Sequence, residues 1–182
     1  MKALIFDFGG IISLPKGLFY IPIFPDTEMW HKAESGEIPE EDFWRKLAEY
    51  YQKSEEEVLQ MLFDEKQLNL PLIEFLKSKK NQMKFAFINN GLDRLMEKFI
   101  NEWVLGSFFD VMINSAKERL SKPDPKIFNL ACERLNLSPS DCVYIGRKEH
   151  YVDTARSLGM RGFVYNDFEN FKSQIQQLGL LL

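Results

Sequence analysis

Four short stretches carry residue types that do chemistry, and each follows, or lies just beyond, the end of a predicted strand. Ala3-Leu4-Ile5-Phe6 runs straight into Asp7-Phe8-Gly9-Gly10, and Met83–Ile88 exits through Asn89-Asn90-Gly91. Lys122-Pro123-Asp124-Pro125 opens a helix, and Cys142-Val143-Tyr144-Ile145 ends in Gly146-Arg147. An apolar run too short for a helix that ends in an aspartate and two glycines reads as a buried parallel strand delivering a carboxylate into a tight turn. In open α/β sheets the ligand crevice lies beyond the carboxyl ends of the strands, which puts Asp7 where chemistry is expected. The other reading of the same residues is an aspartate that only caps the turn after it.

The elements that must hold these residues follow from the hydrophobic pattern. From residue 71 onward, helical and strand patterns alternate: a helix over 71–80, a strand over 83–88, a helix over 92–104 and a strand over 108–113. Then come a helix over 125–135, a strand over 142–145, a helix over 152–158, a strand over 162–165 and a closing helix over 168–178. Such alternation predicts a parallel sheet covered on both faces. Between the first strand and this series, residues 27–63 read as helical. Pro39 is expected at the first helical position ahead of Glu40-Glu41-Asp42, with Phe43, Trp44, Leu47 and Tyr51 at helical spacing. Ser54-Glu55-Glu56-Glu57 has the form of a capping box. The stretch from Ser13 to Pro25, with Leu18-Phe19-Tyr20-Ile21, reads as an apolar linker packed at the junction.

Composition bounds the function. With 45% hydrophobic residues in a chain of 182 there is ample material for a packed core, in one domain or one domain with an insertion. A net charge of -4 gives no reason to expect a nucleic acid or an anionic membrane as partner. The charge is uneven: residues 26–66 hold 13 acidic and 5 basic side chains, so that segment is -8 and the rest +4. This asymmetry suggests a separate helical module whose carboxylates form a solvated face. Cys132 and Cys142 fit no metal or redox spacing and are expected as buried free thiols. No signal-peptide pattern precedes the first strand and no apolar run reaches membrane-spanning length, so a cytoplasmic protein is expected.

Taken together, the four stretches resemble the haloacid dehalogenase (HAD) superfamily, aspartate-nucleophile hydrolases that are mostly phosphatases, with some dehalogenases and mutases. Lys122-Pro123-Asp124-Pro125-Lys126-Ile127-Phe128 is the most specific piece. The helical segment with Glu34-Ser35-Gly36-Glu37-Ile38 and Phe43-Trp44 looks like the cap of the subfamily whose cap follows the first motif. The resemblance covers nearly the whole chain. It implies an α/β fold, a Rossmann-like parallel sheet with helices on both faces, built from residues 1–14 and 69–182, with a small α-helical cap at 15–68. It also implies that Asp7 is the nucleophile and that Lys122 steadies nucleophile and substrate. Phe8, Gly9, Asn89, Asn90 and Arg147 are then expected around a small phosphate-like anion, with Gly10 letting the backbone approach it.

Three positions depart from the family pattern. Gly9 stands where phosphatases carry a second aspartate as general acid. Asn89 replaces a Ser or Thr that binds the phosphoryl oxygen, although its amide can donate a hydrogen bond. Gly146-Arg147 replaces the acids that bind Mg²⁺, and Tyr151 and Val152 fall where a further acid or asparagine would stand. The resemblance alone makes Mg²⁺ a possible cofactor; the degraded ligand set makes none expected. Arg147 is expected to pair with Asp7 as a structural salt bridge; the alternative is a fixed positive charge that holds an anion. The expectation is therefore a phosphatase-like protein of weak or lost activity that serves as an anion-binding or regulatory module. The alternatives are a metal-independent, dehalogenase-like hydrolase and a phosphatase on an unusual ligand set using Asp153 and His150.

Overall fold

The computed structural model describes residues 2–16 and 27–179. The expected linker Leu18-Phe19-Tyr20-Ile21 lies outside the described residues. The first half of the chain contains β1 (Ala3–Asp7), β2 (Ser13–Pro15), α1 (Thr27–Ser35), α2 (Glu40–Tyr51), α3 (Glu55–Asp64), β3 (Lys66–Leu68), α4 (Leu70–Lys79) and β4 (Lys84–Asn89). It continues with α5 (Asp93–Glu102), β5 (Val111–Asn114), α6 (Ser115–Glu118), α7 (Pro125–Leu135), β6 (Cys142–Gly146), α8 (Glu149–Ser157), β7 (Arg161–Val164) and α9 (Phe168–Gln177).

Five strands form one parallel sheet in the order β5-β4-β1-β6-β7. The fold is thus the expected Rossmann-like α/β architecture. Strand β1 is central and every one of its residues is buried, as is every residue of β6, which is why both read as unbroken apolar runs. Alternate side chains go to opposite faces: Leu4 and Phe6 join the core under α4, α5 and α9, while Ala3 and Ile5 join the one under α7 and α8. From β1 the chain pairs β4 on one side and later β6 on the other. The order reverses beside β1, and a crevice opens there at the carboxyl ends of the strands.

Helices α1, α2 and α3 enclose a cluster of their own, with Phe43, Trp44, Leu47, Val58 and Leu62 buried and Trp30 packed against it. Leu92, from the exit of β4, completes this cluster and ties it to the sheet. The capping box at Ser54 forms as its sequence predicts, with the Glu57 N–H donating to Ser54 Oγ and the Ser54 N–H donating to Glu57 Oε2. Pro39 sits one position earlier than expected: it precedes the helix at φ −57° and ψ 132°, and Glu40 is the first helical residue.

Two features depart from the sequence reading. A short antiparallel ribbon joins Ser13–Pro15 to Lys66–Leu68, so the chain leaves the sheet and returns to it side by side. Three-residue strands, one with a proline, are too short to show a period. Buried Asn69 pins this crossing, its amide donating to Ile11 O and to the Tyr165 hydroxyl. The strand expected from residue 108 begins only at Val111. A 3₁₀ turn occupies 105–107, and the Asp110 carboxylate accepts the Phe85 N–H at 2.8 Å in place of a ladder bond. Among the described residues no helix is long and apolar enough to cross a membrane.

Candidate functional site

Strand β1 ends by placing the Asp7 carboxylate, almost wholly buried, at the crevice. Its Oδ1 accepts the Phe8 N–H at 2.9 Å and the Lys122 ammonium at 2.5 Å. Its Oδ2 has no hydrogen-bond partner among the described residues. The turn that follows is tight: the Gly10 N–H donates to Ser13 O at 2.7 Å, and Phe8 O accepts from Ile12 and Ser13. Gly10 has φ +76°, in the left-handed region, and a Cβ there would lie 3.1 Å from Arg147 Nε. Glycine is therefore favoured by conformation, and the guanidinium lies close over it. Gly9 is different: it is exposed, its φ is not positive, and a Cβ would meet nothing within 4 Å.

Lys122 is 3% exposed, and its ammonium bridges Asp7 Oδ1 and Ile88 O at 2.6 Å. Burial pushes this lysine below its ordinary pKa, with the Asp7 carboxylate pulling the other way. Asn90 holds its backbone at both ends: Oδ1 accepts the Lys122 N–H at 2.9 Å and Nδ2 donates to Lys122 O at 3.0 Å. Asn90, expected at the anion, lines the crevice and commits its Oδ1 and one Nδ2 hydrogen to positioning the lysine.

Three further expectations change. Phe8 gives the crevice no side chain, since its ring packs on Phe87 and Phe99 at 5.1 and 5.4 Å and its N–H is held by Asp7. Asn89 lines the crevice, but its Nδ2 donates to Asn114 Oδ1 at 2.8 Å, beneath Gly91. Arg147 forms no salt bridge with Asp7; Lys122 holds that position, and the guanidinium lies over Gly10 at the exposed rim. The physical reason is access: Lys122 enters from beneath, through the buried core, whereas Arg147 belongs to the exposed loop after β6.

The same loop holds a residue that the sequence reading passed over. Lys148 lines the crevice with Asp7, and its ammonium stands 5.2 Å from the centre of the Tyr151 ring. Neither Arg147 nor Lys148 has an acidic partner among the described residues. Two adjacent cations directly after a predicted strand end were the available signal. His150 is exposed with its ring against Tyr151, and Asp153 pairs with Arg156 at 3.0 Å; neither lines the crevice.

Across from Lys122 the crevice is bounded by His31 and Glu34 of α1. The Glu34 carboxylate accepts Trp30 Nε1–H at 2.8 Å and contacts His31 Nδ1 at 2.8 Å. The acidic insert is thus not solvated throughout, because Glu34 and Glu40 turn inward. Ser115 fastens insert to sheet, accepting the Gly91 N–H at 3.0 Å and donating to the Glu34 carbonyl. A cavity of about 470 Å³ extends from Asp7 towards the insert, and a second of about 500 Å³ opens past Glu34.

As a metal centre the donor set is poor. Among the described residues no three His, Cys, Asp or Glu side chains gather where they could hold an ion. Position 146 has no room for an acid, since a Cβ on Gly146 would lie 2.7 Å from the Tyr144 ring.

The profile of the haloacid dehalogenase-like hydrolases matches residues 24–164. Over 96 residues the chain is 34% identical to haloacid dehalogenase-like hydrolase domain-containing protein 3 of Danio rerio, covering 51% of this chain but only 38% of that protein. It is 28% identical over 181 residues to a phosphorylated carbohydrates phosphatase of Thermotoga maritima, covering 88% of this chain and 82% of that one. A HAD family enzyme of Bacteroides thetaiotaomicron, solved with magnesium and inorganic phosphate, superimposes with a TM-score of 0.78 at 17% identity, over 94% of this chain and 98% of its own. The profile spans well over half of the residues, and the sheet order and helical insert belong to the same architecture. On that match the chain belongs to the haloacid dehalogenase-like hydrolase family.

Proposed function

We propose that this protein binds a small phosphate-like anion at the Asp7 crevice and has little or no magnesium-dependent phosphatase turnover. Asp7 and Lys122 keep the family's roles of nucleophile and steadying cation, Arg147 and Lys148 supply charge for the anion, and residues 15–68 act as the cap. The observation that carries this reading is an open Gly9 in one cavity with two cations that have no acidic partner among the described residues. A leaving alkoxide needs a proton, glycine has none to give, and general acid–base help is typically worth about a hundred- to ten-thousand-fold.

Magnesium prefers a near-octahedral set of oxygens, commonly carboxylates and water. Here the carboxylate at the end of β1 is already bonded to an ammonium, and position 147, where the family pattern has an acid, carries a guanidinium that lies over Gly10. The described residues do not fit that ion. The Bacteroides thetaiotaomicron enzyme was solved with magnesium and phosphate together; for this chain Arg147 and Lys148 favour the anion, and the donor set disfavours the metal.

A second reading, a metal-independent hydrolase, is favoured by the unpartnered Oδ2 of Asp7, the atom a nucleophilic carboxylate would use. A panel of phosphomonoesters and 2-haloacids, assayed with Mg²⁺ and with chelator, separates the two. The expected result is slow phosphomonoester turnover that chelator does not change. Rapid dehalogenation would establish the second reading, and efficient, chelator-sensitive phosphatase activity would overturn both.

A further inference from the structure

The cavity that extends from Asp7 towards the insert is chemically two-ended. At the sheet its groups are Asp7, Asn89, Arg147 and Lys148; towards the insert its walls are Trp30, Leu62, Leu92, Leu95, Met96 and Phe99. The apolar wall comes from both parts of the molecule, with Trp30 and Leu62 contributed by α1 and α3 and the others by α5 and the turn before it. Trp30 presents only its ring, because its Nε1–H is held by Glu34. The amides of Asn89 and Asn90 each commit one Nδ2 hydrogen, to Asn114 and to Lys122. Apart from these groups, the polar side chains in the lining among the described residues are Ser13, Glu65 and Lys66, all on or beside the β2–β3 ribbon.

From this arrangement we infer that the site selects an amphiphilic phosphate monoester, its anionic head between Asp7, Arg147 and Lys148 and its alkyl or aryl body against Trp30, Leu62, Leu95 and Phe99. The inference rests on the anion-binding reading above and narrows it to a substrate class. A polyhydroxylated body, as in a sugar phosphate, would lose water from its hydroxyls against a wall with few groups to replace it. An apolar body gains from the same wall, and a volume of about 470 Å³ suits a small organic ligand.

Calorimetric titration of the full chain with inorganic phosphate, glucose 6-phosphate, and butyl, hexyl and octyl phosphate tests this. Burial of a methylene strengthens binding by about fourfold, so affinity is expected to rise about fifteenfold from butyl to hexyl phosphate. Glucose 6-phosphate should bind no tighter than inorganic phosphate. In Leu95→Asn the ratio of octyl phosphate to inorganic phosphate affinity should fall at least tenfold. The chain-length series needs no variant, so a poorly folding Leu95→Asn leaves the test intact. If all the phosphates bind alike, the substrate class is wrong and the anion site stands. If inorganic phosphate and every ester fail to bind, both the anion site and this inference fall.

Discussion

Two adjacent glycines divide the labour at the nucleophile's turn. Gly10 cannot be replaced without strain, since its backbone is left-handed and Arg147 covers it, whereas Gly9 has open space where a side chain would go. Putting an acid at 9 is therefore a sterically permitted change. Removing the guanidinium at 147 clears room and positive charge from the same corner. The double variant Gly9→Asp, Arg147→Asp is expected to fold and to show phosphomonoester hydrolysis raised about tenfold or more with Mg²⁺ and lost with chelator, a gain below the roughly hundredfold that a fully positioned acid contributes. Gly9→Asp alone should gain less. Steady-state kinetics on an aryl phosphate gives the comparison, and a well-folded double variant with no gain would place the missing activity elsewhere than in these two positions.

The joint between insert and sheet depends on one carboxylate acting between elements. Leu92, the residue before α5, has no side-chain oxygen to cap that helix, and Glu40 of α2 does so from across the interface. It accepts the Asp93 N–H at 2.6 Å and the Arg94 N–H at 3.0 Å, and also Trp44 Nε1–H at 2.5 Å. Arg94 returns the contact through Glu55 at 2.5 Å. Replacing Glu40 by Ala should cost about 1–2 kcal/mol in urea unfolding, the usual cost of losing a cap. Burial raises the Glu40 pKa above 4.5, against the pull of its hydrogen bonds. A carboxyl whose folded pKa is raised contributes most below its unfolded pKa and loses that contribution as pH rises through the folded value. The stability advantage of the native protein over Glu40→Gln should thus be larger at pH 4 than at pH 7, and a gap that widened towards pH 7 would contradict this.

At the scale of the whole molecule, the insert has no closed core without the sheet. Leu92 fills its cluster, Ser115 bonds to Glu34, and the β2–β3 ribbon binds the two crossings together. Parts that share buried contacts in this way unfold together. In a Trp103→Phe background, fluorescence reports only Trp30 and Trp44 in the insert, while far-UV circular dichroism reports all helices. The two urea transitions should coincide; separate midpoints would show that the insert unfolds alone. The same packing brings Cys132 and Cys142, which share no sequence motif, to a Sγ–Sγ distance of 3.8 Å as buried free thiols on α7 and β6.

Sequence alone determined the strands of the parallel sheet, most of the helices and the residues at the strand ends, because buried parallel strands leave unbroken apolar runs and caps leave local signatures. Asp7 was marked by its place at the end of an apolar strand, and Lys122 by the resemblance of its motif to the family's, without any coordinates. Tertiary structure decided how the polar groups are used. Asn90 serves Lys122, Asn89 serves Asn114, and Asp7 takes Lys122 rather than Arg147 as its partner. An amide or a guanidinium can bond in several directions, and its choice depends on neighbours distant in sequence: 32 positions separate Asn90 from Lys122 and 115 separate Asp7 from Lys122. Lys148 and the inward turn of Glu34 were hidden for the same reason, since a charge run reads as solvated until packing shows which of its members face a crevice.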